Sequence, residues 1–249
     1  MSKSGLRMLD VLETVVVASA PLGLLEIAGA LDLDKTTTSR ALAALMDRDF
    51  IARDGHSRKY TVGPRFIGLS SATTARADVL LLAQPFMLRL QGVIGETVSL
   101  NLLVGLERMC VHVLERFPPN RERRPVGVRG ALHSGTAGKV ILAFLRAAEQ
   151  AAVLDAAAEA GKDLGRIRQQ LARVTETGYL DDVGERTQTV GAVSAPLFNG
   201  SRVFGSLTVT GLVERMTEER RAEIAPQVRE AAVGISDVIT ASHLADNHG

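Results

Sequence analysis

The chain has 249 residues, of which 46% are hydrophobic and 4% aromatic, and it contains no tryptophan. This length fits two domains, and the composition is that of an ordinary globular protein rather than a disordered or fibrous one. Its 29 basic and 28 acidic residues nearly cancel, which excludes a strongly basic scaffold that binds nucleic acid by charge alone. No run of 18 apolar residues occurs, so no membrane-spanning helix is expected.

The N-terminal segment and the cysteine content indicate the cellular compartment. It leads directly into an amphipathic helix that contains Asp10 and Glu13, which is unlike a secretory signal. The single cysteine, Cys110, cannot form a disulfide within the chain. We therefore expect a cytoplasmic protein with no membrane partner. The five histidines lack zinc-ligand spacing and Ser134 lacks a nucleophile-elbow pattern, so we expect no catalytic residue, metal or cofactor.

Residues 24–42 have the pattern of a helix-turn-helix. A short apolar helix ends near Leu31, turn-forming residues follow, and a second helix begins with Lys-Thr-Thr-Thr-Ser-Arg. Hydroxyl groups and an arginine in this first turn suit phosphates and base edges in a DNA major groove. The residues predicted to contact DNA are Lys35, Thr36, Thr37, Thr38, Ser39 and Arg40. The alternative is that this turn merely caps an ordinary helix, with Asp34 as the N-cap.

A basic hairpin follows the second helix. A strand at 50–53, a turn at 54–58 and a returning strand at 59–62 complete a winged helix. The residues of its tip that are predicted to contact DNA are His56, Ser57, Arg58 and Lys59. Between residues 35 and 65 there are seven basic and three acidic residues. This modest excess suggests that tight binding to double-stranded operator DNA needs two or more subunits.

The remainder of the chain mixes helices and strands. Strands are predicted at 97–103, 109–114, 192–197 and 203–211, and helices at 86–93, 140–145, 147–160, 164–175 and from 217 to about 241. Such a mixture indicates an α+β domain of the sensor type. We expect Pro85 to end or kink the helix that precedes it. The predicted domains are a winged helix at 1–66, a linker helix at 67–84, and an effector-binding and oligomerisation domain at 85–249.

Two features of the second domain predict a ligand pocket. The glycine-rich loop from His133 to Lys139 opens a helix, and free backbone N–H groups at a helix start attract a carboxylate. Thr208 and Thr210 are two residues apart on a strand, so their hydroxyls face the same side. Together they could hold a small organic acid. The alternative is that the glycines allow tight packing and that the threonines are simply good strand formers.

Eight segments in this order resemble the IclR-type bacterial transcription regulators. They are LRMLDVLE at 6–13, EIA at 26–28 with the chain through Arg40, YTVGPR at 60–65, GETV at 95–98, LHSGTAGK at 132–139, GY at 178–179, SAPL at 194–197 and LTVTG at 207–211. The resemblance covers almost the whole chain. It implies an α+β protein with an N-terminal winged helix-turn-helix, a linker helix and a C-terminal GAF-like effector-binding domain, assembled as homodimers or homotetramers.

Combined with the two threonines, the resemblance also gives a candidate effector site. Its expected residues are Gly130, Ser134, Gly135, Thr136, Ala137, Asp182, Ala192, Thr208 and Thr210. The match around Asp181 and Asp182 is loose, so either carboxylate could take part, or neither. Ala192 stands where family members often have cysteine, and Gly130 stands where a bulky apolar residue is usual. Both changes are expected to make room beside the ligand.

The predicted function is a ligand-responsive DNA-binding repressor of a catabolic operon. The enlarged pocket favours a small organic acid or acid derivative with more than two or three carbons, aromatic acids included. The alternative is a small-molecule hydrolase or transferase that uses the C-terminal pocket near His133 and Asp182.

Overall fold

The computed structural model describes residues 3–18, 20–74, 78–116, 126–184 and 188–246. The chain forms two compact units, residues 1–78 and 79–249.

The first unit is a winged helix-turn-helix. It contains helices α1 (Lys3–Val17), α2 (Leu24–Ala30) and α3 (Lys35–Asp47), strands β1 (Ile51–Arg53) and β2 (Tyr60–Val62), and helix α4 (Pro64–Thr74). The two strands pair antiparallel. One apolar core joins the three helices to the hairpin, and its buried members are Val11, Val15, Ile27, Leu42, Leu45, Ile51 and Tyr60. The predicted winged helix is confirmed.

A close backbone contact fixes the hairpin against the end of α3. Asp49, just after α3, has a φ of 58°, in the left-handed region. Gly63, just after β2, donates its N–H to the carbonyl of Phe50 at 2.8 Å. A Cβ atom added to Gly63 would lie 2.1 Å from the carbonyl oxygen of Asp49. Only glycine therefore fits at this position without moving the backbone.

The second unit is an α+β domain built on one antiparallel sheet, as predicted. Its elements are α5 (Asp78–Ile94), β3 (Thr97–Val104), β4 (Glu107–Leu114), β5 (Arg129–Ala131), α6 (Thr136–Leu142), α7 (Ala147–Glu159), α8 (Leu164–Thr177), β6 (Leu180–Val183), β7 (Val190–Asn199), β8 (Arg202–Leu212) and α9 (Glu218–Asp246). The strand order is β5-β4-β3-β8-β7-β6. The strands pair antiparallel throughout.

The two faces of this sheet differ in chemistry. On one face, residues such as Leu100, Val193 and Leu207 share a core with residues of α5 and α9. The alternating positions of the same strands point to the opposite face. There they form what we call the polar face: Thr97, Ser99, Asn101, Ser194, Ser206, Thr208 and Thr210, all of them buried. Buried polar groups cost free energy unless they are hydrogen-bonded, so this face is where a binding site is expected.

Some elements differ from the sequence-based expectations. Helix α5 continues through Pro85, so the expectation that the helix ends there is wrong. The apolar side chains of Ala83 and Met87, on either side of the proline, lie in the same core, and this packing offsets the lost backbone hydrogen bond. The predicted linker at 67–84 covers the end of α4, residues 75–77, which lie outside the described residues, and the start of α5.

Candidate DNA-binding and effector sites

Helix α3 begins at an N-cap formed by Asp34. Its Oδ1 accepts a hydrogen bond from the backbone N–H of Thr37 at 2.8 Å, and its Oδ2 accepts one from the Thr37 hydroxyl at 2.7 Å. The hydroxyl bond and the backbone bond hold the pKa of Asp34 below its usual value. The alternative that Asp34 is the N-cap is therefore correct. This cap does not involve the exposed side chains farther along α3, which remain available to contact DNA.

The exposed side of α3 differs in two residues from the prediction. Thr38 is fully buried and its hydroxyl donates to the carbonyl of Asp34 at 3.0 Å, so its prediction as a DNA contact is wrong. Ala43 is exposed, and it lies four residues after Ser39, on the same side of the helix. Sequence reasoning missed it because a methyl group offers no hydrogen bond, although helical spacing could have found it. The exposed residues along this side are Lys35, Thr36, Ser39, Arg40 and Ala43.

The tip of the wing is a turn held by Asp54. Its Oδ1 accepts hydrogen bonds from the Ser57 N–H at 2.6 Å, the Ser57 hydroxyl at 2.7 Å and the His56 N–H at 3.2 Å. These bonds lower the pKa of Asp54. His56, Arg58 and Lys59 are exposed. The Lys59 ammonium lies 3.7 Å from the carboxylate of Glu26, and such an exposed pair is weak enough to be exchanged for a DNA phosphate.

The polar face is organised in rows that run across the strands. The strand register places Thr97, Thr210, Ala192 and Asp182 in one row, Ser99, Thr208 and Ser194 in the next, and Asn101 and Ser206 in a third. The predicted site residues Thr208, Thr210, Ala192 and Asp182 are therefore neighbours in space.

A chain of buried hydroxyls connects α6 to these rows. The Thr136 Oγ1 lies 2.7 Å from the Ser194 Oγ, which in turn lies 2.9 Å from the Thr208 Oγ1. Thr136 and Thr208, predicted from distant segments, are thus brought together through Ser194. Sequence reasoning missed Ser194, although its position two residues after Ala192 on one strand places it on the same face.

The glycine-rich loop has a partly different role from the one expected. Helix α6 has seven residues, so its contribution to the attraction of an anion is small. A Cβ atom at Gly138 would lie 2.6 Å from the carbonyl oxygen of Leu132, which supports the packing alternative at that position. Gly135 precedes the helix with a φ of 74°. Ala137 is buried and Ser134 is half-buried, and both lie next to Thr136 in this loop and helix start.

The register separates the two neighbouring aspartates. Asp182 lies on the side of Ala192, and its Oδ2 accepts hydrogen bonds from Gln170 at 2.7 Å and Arg166 at 2.8 Å. Asp181 points to the other side of β6, where it pairs with Arg173 and Arg221. Of the two carboxylates, only Asp182 belongs to the rows of the polar face.

Gly130 does not open space for a ligand as expected. It lies opposite Arg108 in the β4–β5 register, and a Cβ atom at Gly130 would lie 2.9 Å from the Arg108 Nη2. Arg108 is 4% exposed, and its Nη1 donates to the Asn101 Oδ1 at 3.3 Å. The guanidinium therefore fills the volume that glycine leaves. Sequence reasoning missed Arg108, because a charged residue beside a turn is usually exposed.

The described residues contain no group of three or more histidine, cysteine, aspartate or glutamate side chains placed to hold a metal ion. Within the same ranges, no helix has the length and apolar character needed to cross a membrane.

The first unit is a winged helix whose α3, the second helix of the helix-turn-helix, has an exposed polar side. The second unit contains a buried polar site. This combination is typical of a DNA-binding transcription regulator. Family models agree. The IclR helix-turn-helix domain matches residues 6–55, and the C-terminal domain of the bacterial transcriptional regulator IclR matches residues 71–237. The chain belongs to the IclR family of bacterial transcriptional regulators.

Individual relatives support this assignment along most of the chain. The transcriptional regulator BhcR of Paracoccus denitrificans is 30% identical over 237 residues, which cover 92% of this chain and 85% of BhcR. The transcriptional repressor AllR of Salmonella typhi is 29% identical over 224 residues, covering 86% of this chain and 81% of AllR. These relatives are regulators rather than enzymes, so the hydrolase or transferase alternative is not favoured.

Solved structures share the fold. An IclR regulator from Alicyclobacillus acidocaldarius superposes with a TM-score of 0.80 at 22% identity, covering 96% of this chain and 99% of the other. An IclR homologue from Microbacterium hydrocarbonoxydans, complexed with 4-hydroxybenzoate, has a TM-score of 0.79 at 21% identity and covers 96% and 100% of the two chains. This chain thus has the fold of known IclR structures.

Proposed function

We propose that this regulator represses a catabolic operon and releases its operator when a small organic acid binds to the polar face. One observation carries the effector part of the proposal. Within the part of the chain that the structure describes, Ser99 Oγ, Asn101 Nδ2 and Ser206 Oγ are buried side-chain atoms without a hydrogen-bond partner. All three lie on the polar face, in two neighbouring rows.

Such atoms favour a polar occupant. A buried polar group left without a partner costs about 1–3 kcal/mol, and a ligand with oxygen atoms removes that cost at each group it contacts. Two relatives support the rest of the proposal. AllR is named a repressor, and the Microbacterium homologue binds an aromatic acid.

The proposed effector contacts combine the rows with the start of α6. They are Ser134, Gly135, Thr136, Ala137, Asp182, Ala192, Thr208 and Thr210. With the space beside Gly130 taken by Arg108, Ala192 is the remaining small residue that enlarges the site. We propose an acid the size of one ring, because a two- or three-carbon acid would leave unfilled volume beside Ala192.

The proposed DNA contacts divide into two kinds. Thr36, Ser39, Arg40 and Ala43 of α3 face base edges, where arginine suits guanine and a methyl group suits thymine. The cations of Lys35, Arg58 and Lys59 contact phosphates. So do the polar groups of Thr37, in the first turn of α3, and of His56 and Ser57 at the wing tip. This surface is small and carries a modest charge, so we propose a homodimer or homotetramer on a partly palindromic operator. Sedimentation that shows a monomer at micromolar concentration would contradict this assembly.

The experiment measures how ligand binding changes the affinity of the protein for its operator. The operator is first identified among genomic fragments that bind to the purified full-length protein. Fluorescence anisotropy then measures the affinity of the protein for this operator with and without each of a panel of aliphatic and aromatic acids. We expect at least one acid to weaken operator binding tenfold or more. The double variant Thr208→Val and Thr210→Val should bind the operator like the wild type, since valine also favours strands, but should respond less to the acid.

Two results would overturn the proposal. One is a failure to enrich any genomic sequence. The other is an operator affinity that stays constant in the presence of every acid shown by calorimetry to bind the protein.

A further inference from the structure

We propose that Ser99, Asn101 and Ser206 determine the specificity of the effector site, and that they bind a second oxygen atom that the effector carries at the end opposite its acid group. The position of the acid group rests on the proposed function. The inference adds the class of the effector, which is an acid with a second oxygen, such as a hydroxyl, rather than an acid with a wholly apolar body.

The amide of Asn101 has a defined orientation. Its Oδ1 accepts a hydrogen bond from the Nη1 of Arg108 at 3.3 Å, which leaves the Nδ2 for another partner. Asn101 is 1% exposed, and its Nδ2 has no hydrogen-bond partner among the described residues. An amide NH2 group donates hydrogen bonds and does not accept them. The group that contacts it must therefore be an acceptor.

Two serine hydroxyls lie close to this amide. Ser206 is the register partner of Asn101 on β8, and Ser99 is two residues before Asn101, on the same face of β3. Both serines are fully buried, and within the described ranges neither hydroxyl has a partner. The three groups are thus not bonded to one another, although their strands are paired. Because a hydroxyl can donate and accept, an oxygen atom placed here can be bonded by Asn101 and by either serine.

The neighbouring hydroxyls of the polar face differ in this respect. Ser194 is already bonded to both Thr136 and Thr208. Within the polar face, the buried side-chain atoms that lack a partner in the described part of the chain belong to Ser99, Asn101 and Ser206. Burying such groups costs free energy that an incoming oxygen atom recovers. The capacity to recognise a further ligand group is therefore concentrated at this end of the face.

The spacing along β8 gives the size of the effector. Ser206 and Thr208 are two residues apart, which is about 7 Å at the rise of an antiparallel strand. Thr210 is two residues farther on. The proposed function places the acid group beside Thr208 and Thr210, next to Thr136 at the start of α6. An effector that contacts both ends therefore carries its acid group and its second oxygen on opposite sides of a body about one ring long.

The test uses three benzoates that differ in one small substituent: 4-hydroxybenzoate, 4-methylbenzoate and 4-aminobenzoate. The hydroxyl group accepts and donates hydrogen bonds, the methyl group does neither, and the amino group on an aromatic ring is chiefly a donor. Titration calorimetry on the full-length protein measures the affinity for each. We expect the wild type to bind 4-hydroxybenzoate at least tenfold more tightly than 4-methylbenzoate.

Two variants change the proposed contacts one at a time. Asn101→Asp keeps an oxygen facing Arg108 but replaces the Nδ2 donor with an acceptor, so the affinity for 4-hydroxybenzoate relative to 4-aminobenzoate should fall at least tenfold. Ser206→Ala should reduce the preference for hydroxyl over methyl. It should not lower the melting temperature of the protein without ligand, because the lost hydroxyl has no partner among the described residues. If Asn101→Asp does not fold, Ser206→Ala still tests the proposal.

Ser236→Ala is the matched control. Ser236 is also a buried serine of the second unit, but its hydroxyl donates to the carbonyl of Ala232 at 2.7 Å and accepts from the N–H of Phe198 at 3.0 Å. This variant should lower the melting temperature and keep the wild-type preference among the benzoates. Stability and specificity should thus change in different serine variants.

The outcomes distinguish this inference from the proposed function. Affinity ratios that stay at the wild-type values in both Asn101→Asp and Ser206→Ala would overturn the inference, even if acids still release the operator. A wild type that binds none of the three benzoates, or that does not prefer the hydroxyl group over the methyl group, would overturn it as well. Ratios that change as expected while the benzoates leave operator affinity constant would support this specificity role and contradict the proposed function.

Discussion

Gln170 donates a hydrogen bond from its Nε2 to the Oδ2 of Asp182 at 2.7 Å, and its Oε1 accepts one from the Nζ of Lys139 at 2.6 Å. One amide thus connects a buried ammonium on α6 with a carboxylate on β6. Because α6 also carries Thr136, this network sets the position of the hydroxyl chain relative to the edge of the sheet. The proposed effector site therefore depends on a residue of α8 that is not part of the polar face.

We expect Gln170→Ala to destabilise the second unit by about 1–3 kcal/mol, because it removes hydrogen bonds to a buried ammonium and to a carboxylate. Urea unfolding monitored by circular dichroism measures the change. Gln169→Ala, an exposed neighbour on the same helix, should leave the unfolding midpoint unchanged. Equal stability of the two variants would contradict the structural role of Gln170.

Arg40→Ala should abolish sequence-specific binding to the operator. Its guanidinium is exposed on α3, and loss of a bidentate base contact costs about 1–3 kcal/mol per half-site. Competition between operator and random DNA in a fluorescence anisotropy assay measures the specificity. Arg48→Ala, which removes an equal charge at the C-terminal end of α3, serves as the control. Specific binding by Arg40→Ala like that of the wild type would show that another element reads the bases.

Gly63→Ala should destabilise the first unit, because its Cβ atom would overlap the backbone of Asp49 and Ile51. Overpacking of this kind costs about 1–3 kcal/mol, and thermal unfolding with DNA binding as a second readout detects it. At Gly55, on the wing, an added Cβ meets nothing within 4 Å. Gly55→Ala should therefore unfold like the wild type, and a similar loss in both variants would contradict the argument.

The turn at the wing tip should depend on pH through Asp54. Its pKa is lowered mainly by the backbone N–H of Ser57 and then by the Ser57 hydroxyl. For a carboxyl with a lowered pKa, the stabilisation is present above the pKa of the unfolded chain and is lost as the pH falls through the folded value. NMR titration should give a pKa below that of a free aspartate, and Ser57→Ala should raise it only partly, since the backbone bond remains. An unchanged pKa in Ser57→Ala would exclude the hydroxyl as a cause.

Much of the fold follows from local sequence patterns, since the winged helix and four strands of the sheet are recognisable from alternation, helical spacing and turn residues. Strand β6 was not predicted, because adjacent aspartates disfavour strands. The structure stabilises Asp181 through Arg173 and Arg221, and Arg221 is distant in the sequence. Propensity within a short window does not detect such a partner.

The sites were also predicted only in part. Thr208 and Thr210 share a face because of strand periodicity, which the sequence shows directly. The burial of Thr38 was not predicted, because a threonine that bonds to the preceding turn has the same sequence signature as one that faces solvent. The pairing of Arg108 with Gly130 depends on the register between two strands, which the sequence does not show.

The buried polar groups that would let the second unit recognise a ligand also lower its thermal stability. Replacing Ser99 or Ser206 by alanine would remove a hydroxyl that has no partner among the described residues, and such a change commonly raises the melting temperature. The same change would remove a group able to recognise a ligand. A search for heat-resistant variants of this regulator should therefore enrich proteins that hold their operator but no longer respond, and natural selection for responsiveness should keep the second unit less stable than its fold allows.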